Sequence, residues 1–106
     1  MKTIQLSKPG GLDNFKVVDT EKPVAGAGEI LVELKASSLN YHDYIVAIGG
    51  IPTPDGRIPM SDGAGTVVGI GAGVNDFSVG DNVVSTFFPN WVSGDPSLLK
   101  SSVVPG

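Results

Sequence analysis

Between Ile58 and Val84 the sequence reads IPMSDGAGTVVGIGAGVNDFSVGDNVV, and this stretch limits what the whole chain can become. Ser61, Asp62, Gly63, Ala64 and Gly65 come first. No residue larger than Ala stands between Asp62 and Thr66, so a second backbone or a ligand can approach closely there. Thr66, Val68 and Ile70 then alternate with Gly65, Val67 and Gly69, the period of a strand with one bulky and one lean face. Gly71, Ala72 and Gly73 turn the chain, and Phe77 and Val79 return apolar weight. Gly80, Asp81 and Asn82 form a strong turn signal ahead of Val83 and Val84. The 15 glycines and 8 prolines of the chain extend this pattern, favouring short strands joined by tight turns over long helices.

The remaining segments follow the same logic. Met1–Leu6 reads as a strand with Ile4 and Leu6 on one face, Ser7 to Gly11 as a turn, and Phe15–Val18 as a short strand. Glu21 to Gly28 is a Pro- and Gly-rich loop. Glu29–Ser37 alternates Ile30, Val32, Leu34 and Ala36 with Leu31, Glu33, Lys35 and Ser37, which predicts a core face and a mostly solvated face. The period changes at Asn40. Tyr41, Tyr44, Ile45 and Ile48 recur at helical spacing, with Asn40 as N-cap and Gly49-Gly50 as the stop, predicting one short helix. Ile51 to Pro59, with Pro52, Pro54 and Pro59, is an irregular loop. Ser85–Phe88 is expected to continue a strand, Pro89-Asn90-Trp91 to turn, and Leu98–Gly106 has no obvious partner. Together these segments predict a mainly β domain spanning 1–106, a small, partly open β-barrel with one short helix.

Length and composition exclude several classes. At 106 residues the chain is one domain at most. A net charge of -4 with no Lys/Arg cluster argues against a nucleic-acid surface. With 0 cysteines, disulfides, thiolate catalysis and Cys-ligated zinc are excluded. No apolar run approaches membrane-spanning length and no signal-peptide core follows Lys2, which points to a cytoplasmic protein with no membrane partner.

The motifs carry a further message. Ser61-Asp62-Gly63-Ala64-Gly65, Val68-Gly69, Phe77 and Gly80-Asp81-Asn82-Val83 resemble the "GHE-G-A-G…VG…F…GD-R-V" segment of the medium-chain dehydrogenase/reductase superfamily. Ser38-Leu39-Asn40-Tyr41-His42-Asp43, followed by Gly49-Gly50, resembles its first active-site segment. Pro23 and Gly28-Glu29-Ile30-Leu31-Val32 precede it in the family's order. The resemblance spans nearly the whole chain. It implies the GroES-like catalytic domain that precedes a nucleotide-binding Rossmann domain in these enzymes. That second domain and the return segment are absent from the sequence, so the chain is expected to be a fragment or a truncated product.

The resemblance also implies which residues matter. Zinc enzymes of the superfamily carry Cys where Asn40 stands and His where Ser61 stands. Asp62 falls on the family's Glu, and His42, the sole histidine, falls one place beyond the family's His. A catalytic zinc wants three firm N, O or S ligands. The expectation is therefore no metal site and a match to the zinc-free, quinone-oxidoreductase-like branch. Gly69-Ile70-Gly71-Ala72-Gly73-Val74 superficially suggests a dinucleotide fingerprint, but Val74 stands where Gly or Ala is required and poor helix material follows, so a hairpin turn is expected.

In the relatives the Asn40 segment lies against the nicotinamide. Without zinc, the oxyanion left by hydride transfer needs hydrogen-bond donors. The Asn40 amide and the Tyr41 hydroxyl suit that role, with His42 as a proton relay. Asn40, Tyr41 and Asp43 are then the expected cofactor contacts. Ser61, Asp62, Phe88 and Trp91 would line the substrate pocket, although an aromatic cluster such as Phe87-Phe88-Pro89-Asn90-Trp91 is equally core material. The implied function is the substrate side of an oxidoreductase that moves a hydride between NAD(P)H, NADPH favoured, and a carbonyl, quinone or enone. Its partners would be that small molecule and the missing nucleotide-binding domain, with room for a homo-oligomer. The chain by itself is expected to hold no cofactor and to be inactive. A stand-alone GroES-like module with a co-chaperone or assembly role is the alternative, with Ile51–Pro59 as its only candidate partner loop. An inactive truncated product is the other.

Overall fold

A computed structural model describes residues 1–88 and 93–94 of the chain. Among the described residues, two antiparallel sheets and one α-helix make up the fold. β1 (Lys2–Leu6) pairs with β2 (Phe15–Asp19) through a short 3₁₀ turn at Leu12–Asn14. The second sheet has the order β3 (Ile30–Ala36), β4 (Ala64–Ile70), β5 (Asn82–Val84), all antiparallel. The helix α1 (Tyr41–Ala47) lies in the connection between β3 and β4. Leu6 ties the first sheet to the loop before β4: its N–H donates to Arg57 O at 2.8 Å and its carbonyl accepts from Gly56 N at 2.9 Å. Neither sheet closes on itself, as expected of a partly open barrel.

The lean face of β4 is the buried one. Gly65 and Val67 are buried, whereas Val68 and Ile70 face outward. The reason is close backbone approach: a Cβ on Gly65 would run into the Glu33 carbonyl and the Leu34 Cα of β3. Register shifts fall between Leu31 and Val32 and between Leu34 and Ala36, bulges that twist the β3–β4 pair. Gly71, Ala72 and Gly73 do turn the chain after β4, with Gly73 at φ +81 and Gly71 N–H donating to Glu29 O at 2.8 Å.

Three expectations need correction. Leu34 is 64% exposed rather than core, because the face it shares with Ile30 and Val32 opens with Phe77 and Val83 onto a cavity of about 240 Å³. The Tyr41/Tyr44/Ile48 stripe of α1 also faces outward. The helix instead buries Asp43, Val46 and Ala47, with Ala47 O accepting the Gly11 N–H at 2.7 Å. Finally, β5 ends at Val84: Ser85 still donates its N–H to Gly63 O at 2.9 Å, but Thr86 leaves the ladder and Phe87-Phe88 bend away. The Pro89–Trp91 turn and the Leu98–Gly106 segment lie outside the described residues.

Candidate functional site

The site forms where the end of β3, the start of α1 and the entry to β4 meet. Helix α1 begins as its sequence requires. Asn40 sits at the N-cap with extended backbone (φ -107, ψ 157), and Asn40 and Asp43 form a capping box. The Asn40 N–H donates to Asp43 Oδ2 at 2.9 Å. At the other end, Gly49 N–H donates to Val46 O at 3.1 Å and Gly50 N–H to Ile45 O at 2.8 Å, the paired bonds of a Schellman stop, with Gly49 at φ +84.

Asp43 is 3% exposed. Its Oδ1 accepts the backbone N–H of Ser61 at 2.8 Å, so this one carboxylate fastens the helix start to the strand entry 18 residues later. Ser61 is itself 2% exposed, and Met60 before it takes the left-handed backbone, φ +83, that carries the chain into the cluster. Backbone of that kind at a non-glycine residue persists only where its surroundings impose it.

Asp62 is the hub. Its Oδ1 accepts from Ser38 N at 2.8 Å and Ser37 Oγ at 3.1 Å, and its Oδ2 accepts from Asn40 Nδ2 at 2.9 Å and from the Ser38 hydroxyl. The Ser38 hydroxyl, the Ser38 N–H and the Asn40 amide together hold this carboxyl well below the usual carboxylate range. The Asn40 NH2 faces acceptors on several sides: Asp62 Oδ2, Ser38 O at 3.2 Å, Ser61 Oγ at 3.4 Å and Asp43 Oδ2 at 3.5 Å.

Tyr41 is not a core residue. It is 78% exposed on the first turn of α1, its ring 6.5 Å from that of Tyr44. His42 is half-buried, edge-on to Phe87 at 5.1 Å, and Phe87 in turn meets Phe88 edge-on at 4.7 Å. The fold therefore brings Asn40, Asp43, Ser61 and Asp62 into one hydrogen-bonded cluster, while Tyr41 and His42 follow on the first turn of α1, Tyr41 against Tyr44 and His42 against Phe87. Trp91 lies outside the described residues. Among the described residues no three His, Cys, Asp or Glu side chains converge. Ser37 and Ser38 are the members that sequence reasoning missed. The one available signal was a pair of hydroxyls between a strand and an N-cap.

Comparisons with known proteins give the family and the fold. The alcohol dehydrogenase GroES-like domain profile matches residues 26–100. A zinc-type alcohol dehydrogenase-like protein of Schizosaccharomyces pombe is 43% identical over 90 residues, 82% of this chain and 26% of that protein. Among solved structures, the Escherichia coli quinone oxidoreductase complexed with NADPH superposes with a TM-score of 0.72 at 30% identity, covering 79% of this chain and 26% of that one. A cobalt- and zinc-bound thermostable alcohol dehydrogenase from Pyrobaculum aerophilum also gives 0.72, at 41% identity and the same coverage. The chain thus spans about a quarter of the length of these relatives. The motif order, the two antiparallel sheets with their single short helix and the matched profile agree: the chain belongs to the alcohol dehydrogenase GroES-like domain family, within the medium-chain dehydrogenase/reductase superfamily.

Proposed function

We propose that this domain forms the substrate side of a cytoplasmic, zinc-independent oxidoreductase that transfers a hydride between NADPH and a carbonyl, quinone or enone. One observation carries the reading. Tyr41 stands exposed on the first turn of α1, next to a fixed polar cluster in the segment that meets the nicotinamide in this family. The NADPH complex of the similar quinone oxidoreductase supports the choice of cofactor.

The donor set at the family's zinc positions does not suit zinc. Asn40 turns its NH2 toward Asp62 and Ser61, and Ser61 offers a buried hydroxyl in place of an imidazole. When bound, the nicotinamide supplies the hydride. The Tyr41 hydroxyl donates to the substrate oxygen as that oxygen gains charge. His42, packed on Phe87, relays the proton that follows. Asn40, Tyr41 and Asp43 form the cofactor side, Asp43 acting through its hold on the Asn40 backbone. Asp62 and Phe88 border the substrate, and the buried Ser61 acts through its contact with the Asn40 amide.

The test is Tyr41→Phe in an enzyme that joins this domain to a nucleotide-binding domain. Deleting one oxyanion donor costs roughly 3 kcal/mol, about a hundredfold in rate. The substitution is expected to lower kcat and kcat/KM together and leave the melting temperature and cofactor affinity unchanged. A kcat within about twofold of the parent would remove Tyr41 from the chemistry.

A further inference from the structure

We infer that Asp62 is a positioning residue that fixes the polarity of Asn40, turning its NH2 into the protein so that the side chain offers a ligand only its carbonyl oxygen, an acceptor for an O–H or N–H donor. The inference rests on the proposed function in one respect only, that ligands approach this segment.

An asparagine side chain can point either way, and its surroundings decide which. The neighbours of Asn40 Nδ2 leave one choice. The Asp62 carboxylate, the Asp43 carboxylate and the Ser38 carbonyl are acceptors only, and the Ser61 hydroxyl can serve as a fourth. Reversing the amide would place Oδ1 against two carboxylates and a carbonyl. The shortest of these contacts, 2.9 Å, is to Asp62, which Ser37 and Ser38 hold in turn through three further donors. The two hydrogens of Nδ2 are therefore spent. Of the two lone pairs on Oδ1, the capping box uses one. The second is the remaining hydrogen-bonding capacity of a side chain that is itself exposed.

The consequence is a division of labour within two adjacent residues. Tyr41 presents an O–H and Asn40 presents a C=O. A ligand that carries an N–H or O–H donor, such as a primary amide or a hydroxy-ketone, satisfies Asn40 Oδ1. A ligand with acceptors alone leaves Asn40 Oδ1 unmatched.

The experiment uses the 15N-labelled chain itself. In the wild type, the Asn40 side-chain NH2 is expected to exchange its hydrogens about tenfold more slowly than that of exposed Asn75, in keeping with hydrogen bonds to a charged acceptor. In Asp62→Asn this protection is expected to vanish while the fully buried Val67 backbone amide stays protected, the control for folding. Benzamide is then titrated against N,N-dimethylbenzamide, which has the same ring and carbonyl but no N–H. Benzamide is expected to shift the Asn40 resonances, and the dimethyl compound to leave them in place. An unprotected Asn40 NH2 in the wild type overturns the inference without need of any variant. So does protection that survives Asp62→Asn, or a chain that treats the two amides alike. A failure of Tyr41→Phe to slow turnover would instead count against the proposed function and leave the Asn40 polarity standing.

Discussion

Replacing Asp43 tests how the site is held together. Its carboxylate is 3% exposed and accepts two backbone N–H groups, Asn40 at 2.9 Å and Ser61 at 2.8 Å. Hydrogen bonds to a charged group contribute about 1.5–3 kcal/mol each, and a buried N–H left without a partner costs a comparable amount. Asp43→Ala removes both acceptors at once, a loss of about 3–6 kcal/mol. Alanine's better helix propensity returns only about 0.5 kcal/mol. The net cost of about 2.5–5.5 kcal/mol is a large share of the roughly 5–15 kcal/mol that stabilises a domain of this size. Asp43→Asn keeps one carbonyl acceptor in nearly the same volume and is expected to lose about half as much. Urea denaturation of the three proteins gives the differences, and hydrogen exchange at the Ser61 amide localises them. An Asp43→Ala protein within 1 kcal/mol of wild type would mean that the helix start and the strand entry are held by something else.

Two further expectations follow from the same contacts. Gly65→Ala places a methyl against the Glu33 carbonyl in a buried strand and is expected to lower the melting temperature by about 10 °C, since overpacking of this kind costs about 1–3 kcal/mol; an unchanged melting curve would show that β3 and β4 can part without cost. The depressed Asp62 carboxyl contributes stability that is fully present above the unfolded-state value of about 3.9 and is lost only as pH falls through the lower folded-state value. A carbon-detected titration of Asp62 should therefore stay flat from neutral pH to about pH 3, and a midpoint near 4 would contradict the network drawn around it.

Much of this architecture was legible in the chain. The strands announced themselves by alternation, and Gly65 by its place at the end of the small-residue run Gly63-Ala64-Gly65. The helix was marked by Asn40 at one end and Gly49-Gly50 at the other, because caps are local chemistry. What stayed hidden was orientation. The tyrosine stripe of α1 is the more conspicuous apolar series, yet the helix packs through Val46 and Ala47, small enough to lie against the turn at Gly10-Gly11. Leu34 keeps the strand period but reaches a face that the described residues leave open. Within the site, Asn40, Asp43, Ser61 and Asp62 stood out individually. Their wiring did not, since the bonds from Ser37 and Ser38 to Asp62 span some two dozen residues of sequence and carry no periodic signal.

The central claim is hydride transfer without metal, and a deuterium label reads it directly. An enzyme carrying this domain is dialysed exhaustively against a zinc chelator and given NADPH deuterated on the transferable C4 position together with an enone. The account predicts that turnover survives the chelator undiminished and that the product carries deuterium at its β-carbon, delivered as hydride, with a solvent-derived proton at the α-carbon. Activity that disappears on chelation and returns with added zinc, or product without deuterium, would contradict it.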